Sequence, residues 1–163
     1  MRILGIDPGL ATVGYGVIDY SDGQFALVDY GAIITTPDLK MPERLDVIFN
    51  EMLCLLDTFR PDSIAFEELF FAKNVKTAIN VAHARGVLLA SAYQYTKELY
   101  EYTPLQVKQA IVGYGRADKR QIQLMVKQML GLNHIPRPDD AADACAIAMT
   151  HAMSMHTDGT FKI

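Results

Sequence analysis

The chain has 163 residues, 50% hydrophobic and 21% charged, with a formal net charge of −4. That length suits one domain with a sizeable hydrophobic core, and the composition is that of an ordinary globular protein. No apolar stretch approaches the ~20 residues a membrane-spanning helix needs, and the first residues lack a basic segment followed by a cleavage site, so a cytoplasmic protein is expected.

Residues 2–7 (RILGID) read as a strand apolar on both faces, hence central in a sheet. The strand ends on Asp7, with Pro8-Gly9 directly after. An unpaired buried carboxylate is costly, so Asp7 either opens a turn or awaits a cation. Residues 12–18 form a second strand, Asp22-Gly23 is a two-residue hairpin signal, and Phe25 begins a third strand running to about Thr35. Pro42 opens an amphipathic helix whose apolar stripe is Leu45, Ile48, Phe49, Met52, Leu55, Leu56 and Phe59; Pro61 stops it.

Residues 63–67 (SIAFE) are a short strand with Ala65 and Glu67 on one face and Ile64 and Phe66 on the other. An Ala-rich helix over 74–95 carries Ala78, Ala82, Gly86 and Ala90 at i+4 spacing, a stripe suited to close approach to the sheet or to another subunit. Residues 99–102 form a fifth strand. Pro104 starts a short helix, Asp118 caps another over 119–130, and Pro138-Asp139 begins the last, to about Met153. Cys54 and Cys145 are expected as buried thiols within helical patterns. Residues 156–163 are expected to be a frayed tail.

Three antiparallel strands followed by alternating helices and strands predict an α/β fold with a mixed sheet. A right-handed crossover allows the fourth strand to lie parallel beside the first. Asp7 and Glu67 then sit at the carboxyl ends of adjacent parallel strands, the edge at which open α/β sheets bind ligands.

The run PDDAADACAIAMTH adds Asp140 and Asp143, three apart on one helix face. Asp139 reads as a cap or first-turn acid, and Glu68 as solvated. Acids converging from two strands and a helix would repel one another, and a divalent cation removes that problem. All-oxygen ligands select Mg²⁺ or Mn²⁺, and two such ions about 4 Å apart can clamp an in-line phosphodiester displacement. His151 lies eleven residues past Asp140, roughly 16 Å along the helix, too far to share a metal with it; it reads as structural. His83, His134 and His156 carry no usable signal.

The net charge hides an asymmetry. Residues 1–62 hold ten acids and four bases, whereas residues 73–137 hold ten bases and three acids. Such segregation fits either a nucleic-acid footprint or a solvated basic face. Phe70 and Phe71, just before Lys73 and Lys76, suit either base stacking or core packing.

The blocks ILGIDPGLATVGYGVI, AFEELFFAKN, ARG, VKQAIVGYGRADKRQI and DAADACAIAMTH, in this order and spacing, resemble the RuvC family of Holliday-junction resolvases from Arg2 to about His151. The resemblance implies a single ribonuclease-H-like nuclease domain over 1–155 and a Mg²⁺-dependent endonuclease, with Mn²⁺ able to substitute and two ions per site. A homodimer would nick four-way junction DNA symmetrically, leaving 5′-phosphate and 3′-hydroxyl ends, in recombination and DNA repair. The acidic tetrad would be Asp7, Glu67, Asp140 and Asp143. Lys108 and Lys119 would lie near the scissile phosphate. Phe70 would stack on DNA, with Phe71 sharing the task or buried; Lys73, Lys76, Arg116 and Arg120 would contact the backbone. A branch-migration helicase and its junction-binding subunit are implied as partners. An actin-like or sugar-kinase-like ATPase shares the strand–Asp–Gly opening, but it needs a second lobe and phosphate loop for which the chain lacks length. A junction-binding module without catalysis is disfavoured by the four carboxylates.

Overall fold

Strand β1 (Arg2–Asp7) is buried on both faces: Ile3 meets one layer of helices while Leu4 and Ile6 meet the other. The computed structural model describes residues 1–69, 75–155 and 160–163, with backbone alone at 75 and 76. Strands β2 (Thr12–Ser21), β3 (Gln24–Ile34), β4 (Ser63–Glu67) and β5 (Leu99–Tyr102) complete one sheet in the order β3-β2-β1-β4-β5. The first three strands are antiparallel, and β4 and β5 run parallel to β1. This is the mixed sheet expected of a ribonuclease-H-like fold. Asp22 and Gly23, at φ 51° and 78°, make the β2–β3 turn, the left-handed pair that matches the twist of a hairpin.

Helices α1 (Met41–Phe59) and α2 (Val75–Tyr95) cover one face; α3 (Pro104–Val112), α4 (Lys119–Met129) and α5 (Asp139–Ser154) cover the other. Reciprocal caps start two of them. Thr103 Oγ1 accepts from the Gln106 amide while Gln106 returns the bond, and Asp118 and Gln121 do the same for α4. Helix α5 lies directly on the sheet because its alanines face glycines. A Cβ at Gly5 would stand 2.1 Å from the Ala144 carbonyl oxygen, and one at Gly14 would stand 2.0 Å from that of Asp140. His151, near the end of α5, is buried, pairs through Nδ1 with the Tyr102 hydroxyl at 2.8 Å, and is pushed down to about 4 by burial. It is a neutral structural histidine.

Two expectations are corrected. Cys145 is buried but Cys54 is exposed, because it lies nine residues past Leu45, half a turn away from the apolar stripe. The tail is not frayed at its end. The Glu101 amide donates to the Phe161 carbonyl at 2.9 Å and the Ile163 amide to the Leu99 carbonyl at 3.0 Å, and Phe161 packs on Tyr102. The free edge of β5 offers unpaired backbone groups, and the chain's own last residues take them. Residues 156–159 lie outside the described residues.

Candidate active site

Strand alternation sends Ile3, Gly5 and Asp7 toward the α5 layer, and Ala65 and Glu67 with them. The parallel register pairs Gly5 with Ala65 and Ile6 with Phe66, so Asp7 and Glu67 leave the sheet as neighbours. Asp7 also pairs with Gly14 on β2. The missing side chain at Gly14 admits the Asp140 backbone and sets the first turn of α5 over the end of β1. From Ala141 to Ala152 every residue is buried except Asp143, which stays half-exposed. Acids in the first turns of α5 also sit at the favourable end of the helix dipole.

The electrostatics record the crowding. Burial, then the charges of Glu67, Asp143 and Asp140, push Asp7 up to about 8, with Lys119 opposing. Burial and Asp143 push Glu67 up to about 7 against Lys119 and Lys108. Burial also raises Asp143, whose hydrogen bond with Lys119 resists the shift. Lys119 Nζ stands 2.9 Å from Asp143 Oδ2 and 3.9 Å from Asp139 Oδ2. Burial lowers the lysine, but these acids outweigh it and leave its pKa raised.

Two hollows flank the first turns of α5. A cavity of about 180 Å³ is lined by Glu67, Lys108, Lys119 and Asp143. A groove of about 400 Å³ on the other flank is lined by Gly9, Arg44, Asn80 and Asp140. Among the described residues no three acids close around one point as a preformed metal cage. The donor set nonetheless fits a hard divalent cation: all four side chains offer carboxylate oxygen, and two have their pKa raised by burial first and by neighbouring acids second, both of which a cation would offset. Asp7, Glu67, Asp140 and Asp143 are the side chains that would hold it.

Of the other expected residues, Lys108 and Lys119 line the acidic cavity, while Arg116 and Arg120 are exposed around the α3–α4 junction. Phe70, Phe71 and Lys73 lie outside the described residues. So does the side chain of Lys76, whose backbone is in the first turn of α2. Glu68 is exposed, as expected, and Asp139 is a first-turn acid paired with Arg137. Arg44 was not singled out from the sequence. Its one signal was rarity, as one of four bases among ten acids in residues 1–62.

The chain is similar to known proteins over nearly its whole length. The family model described as crossover junction endodeoxyribonuclease RuvC matches residues 3–151. The crossover junction endodeoxyribonuclease RuvC of Alkaliphilus oremlandii is 55% identical over 163 residues, covering 100% of this chain and 99% of that protein. The Finegoldia magna protein of the same name is 57% identical over 151 residues, covering 93% and 92%. Among solved structures, T. thermophilus RuvC in complex with Holliday junction substrate superposes with a TM-score of 0.92 at 39% identity, covering 99% of this chain and 98% of that one.

Proposed function

The chain belongs to the RuvC family of crossover junction endodeoxyribonucleases, and from that premise we propose that it resolves four-way DNA junctions by paired, symmetric nicks in recombination and repair. The observation that carries the reading is the gathering of four carboxylates, from two strand ends and one helix start, at a single sheet edge. Family membership implies a divalent metal; we assign Mg²⁺, replaceable by Mn²⁺, with two ions per site. Bound there, the metal would activate water and stabilise the leaving oxygen of an in-line displacement that leaves 5′-phosphate and 3′-hydroxyl ends.

The protein's own groups do the rest. Asp7 and Glu67 lose their protons to become ligands, and Asp140 and Asp143 complete the set from a helix that burial holds rigid. Lys108 and Lys119, on the cavity wall beside Glu67 and Asp143, draw the scissile phosphate to that wall. Phe70, Phe71, Lys73, Lys76, Arg116 and Arg120 are assigned to junction binding, the phenylalanines by stacking and the cations by backbone contact.

A two-fold junction cut symmetrically needs two sites related by a two-fold axis, which a homodimer supplies. The α2 face bearing Ala82, Gly86 and Ala90 is exposed, with Ile79 and Tyr93 half-exposed on the same helix, and we assign part of the subunit interface to it. A branch-migration helicase and its junction-binding subunit are the partners expected to deliver the substrate.

The deciding experiment incubates the protein with a synthetic four-way junction and a matching linear duplex, with and without Mg²⁺. Paired, metal-dependent nicks confined to the junction are expected. Equal cutting of the duplex, or cutting in chelator, overturns the reading.

A further inference from the structure

A guanidinium stands on the far flank of α5 from the two lysines, and it is held in place. Arg44, in the first turn of α1, donates from Nε to Thr35 Oγ1 at 2.7 Å and from Nη2 to the Thr35 carbonyl at 3.4 Å. Thr35 is buried, and its hydroxyl donates to the Leu10 carbonyl in the turn that follows Asp7. The loop leaving the acidic site thus orients the arginine. Among the described residues no carboxylate pairs with Arg44, although it sits in the acidic part of the sequence where Arg2 takes Asp19. Its remaining donors open onto the groove of about 400 Å³ that Asp140 and Gly9 also line.

An ordered arginine without an acid partner, beside a roomy groove, suits a phosphate, whose oxygens match the planar donor fork. We propose that Arg44 binds a backbone phosphate of the cleaved DNA strand on the flank of the carboxylates opposite Lys108 and Lys119. The strand is then held by cations on both sides of the bond to be cut, which limits its freedom to slide out of attack geometry. Thr35 acts through Arg44 as a positioning residue. The inference rests on the junction-cleavage reading above.

The test uses protein carrying Asp7→Asn, so that bound junction stays whole, and measures affinity for a labelled four-way junction across a salt series. Arg44→Gln should weaken binding and reduce the log–log salt slope by about 0.9, the signature of one lost phosphate contact. Arg44→Lys should keep the slope. A purely structural arginine would lower the melting temperature without changing the slope. An unchanged slope in a folded Arg44→Gln protein therefore overturns the proposal and leaves the junction reading intact. Failure of the Asp7→Asn protein with native Arg44 to bind the junction sinks the reading itself. Should Arg44→Gln not fold, neutral methylphosphonate linkages walked through the crossover give the same test on native Arg44. The same walk is repeated with Arg44→Lys: one linkage should cost native Arg44 more affinity than Arg44→Lys, because a planar fork loses two bonds there and an ammonium one, and equal losses at every linkage overturn the proposal.

Discussion

Lys119 Nζ lies 2.9 Å from Asp143 Oδ2, tying the first residue of α4 to the acid that α5 presents half-exposed. The lysine side chain is 53% exposed, so the pair itself adds less than about 1 kcal/mol to stability. Its value is local: it is the cation acting on Asp7, Glu67 and Asp143 alike. Lys119→Ala should slow junction cleavage by about 10²-fold, the scale of losing one group that stabilises developing charge, while the melting temperature moves by no more than ~4 °C. Single-turnover cleavage and thermal melts check both halves. Normal cutting with a large drop in melting temperature would assign Lys119 to structure.

Asp7 carries the sharper prediction. Its carboxyl is pushed from an ordinary 3.8 up to about 8, by burial first and neighbouring acids second. Between those values the folded state holds a proton that the unfolded state has released. Stability of the metal-free protein should therefore fall as pH rises from about 4 to 8, with no further loss from this group above 8. Asp7→Asn removes that penalty. In chelator at pH 8 the variant should melt higher by roughly 4–8 °C, an effect of about 2 kcal/mol once screening is allowed for, and the gain should vanish near pH 4. Mg²⁺ should raise the wild-type melting temperature and leave the variant nearly unmoved. Cleavage should be abolished while junction binding persists, because the lost charge belongs to the ligand set and not to the basic surface. Melts across pH with and without Mg²⁺, alongside a cleavage assay, decide it; a variant that cuts at the wild-type rate refutes the ligand role.

Much of this site was legible in the chain because it depends on local rules. Two-residue alternation places Asp7 and Glu67 on the face of Gly5 and Ala65, and three-residue spacing places Asp140 beside Asp143. The crossover rule brings the two strand ends together. What stayed hidden depends on contacts between distant segments. Arg44 gains meaning only from Thr35, nine residues away, and from a groove shared with Asp140. Pairing of Phe161 and Ile163 with β5 spans some sixty residues and leaves no periodic trace. Cys54 is a different case: its phase on α1 already placed it opposite the apolar stripe, but its apolar neighbours in sequence obscured that. Lys108 and Lys119 were distinguishable from other surface lysines only through their motif.

Gly14 should tolerate no side chain. Its absent Cβ would lie 2.0 Å from the Asp140 carbonyl oxygen and 2.9 Å from the Asp140 Cβ, and backbone on a packed helix cannot step aside cheaply. Gly14→Ala should cost about 1–3 kcal/mol and shift the first turn of α5, separating Asp140 from Asp7. Cleavage should fall by more than the loss of folded protein explains, and more Mg²⁺ should be needed for half-maximal rate. Thermal melts and Mg²⁺ titrations of the cleavage rate check both effects.

Ala82 tests the subunit interface. In the single chain it is exposed on the outer face of α2, so Ala82→Leu leaves the core untouched and should change the stability of the isolated fold by less than about 0.5 kcal/mol. In a two-fold dimer each substitution counts twice, because the same patch meets itself across the axis. Two added leucine side chains between closely approaching helices should force them apart. Sedimentation at low micromolar protein should therefore shift from dimer toward monomer, and junction nicks should lose their pairing, one strand being cut without its symmetric partner. Both effects should appear together, since simultaneous nicking requires the second site. An unchanged sedimentation coefficient with paired nicks would move the interface off this face of α2 while leaving the carboxylate site as it stands.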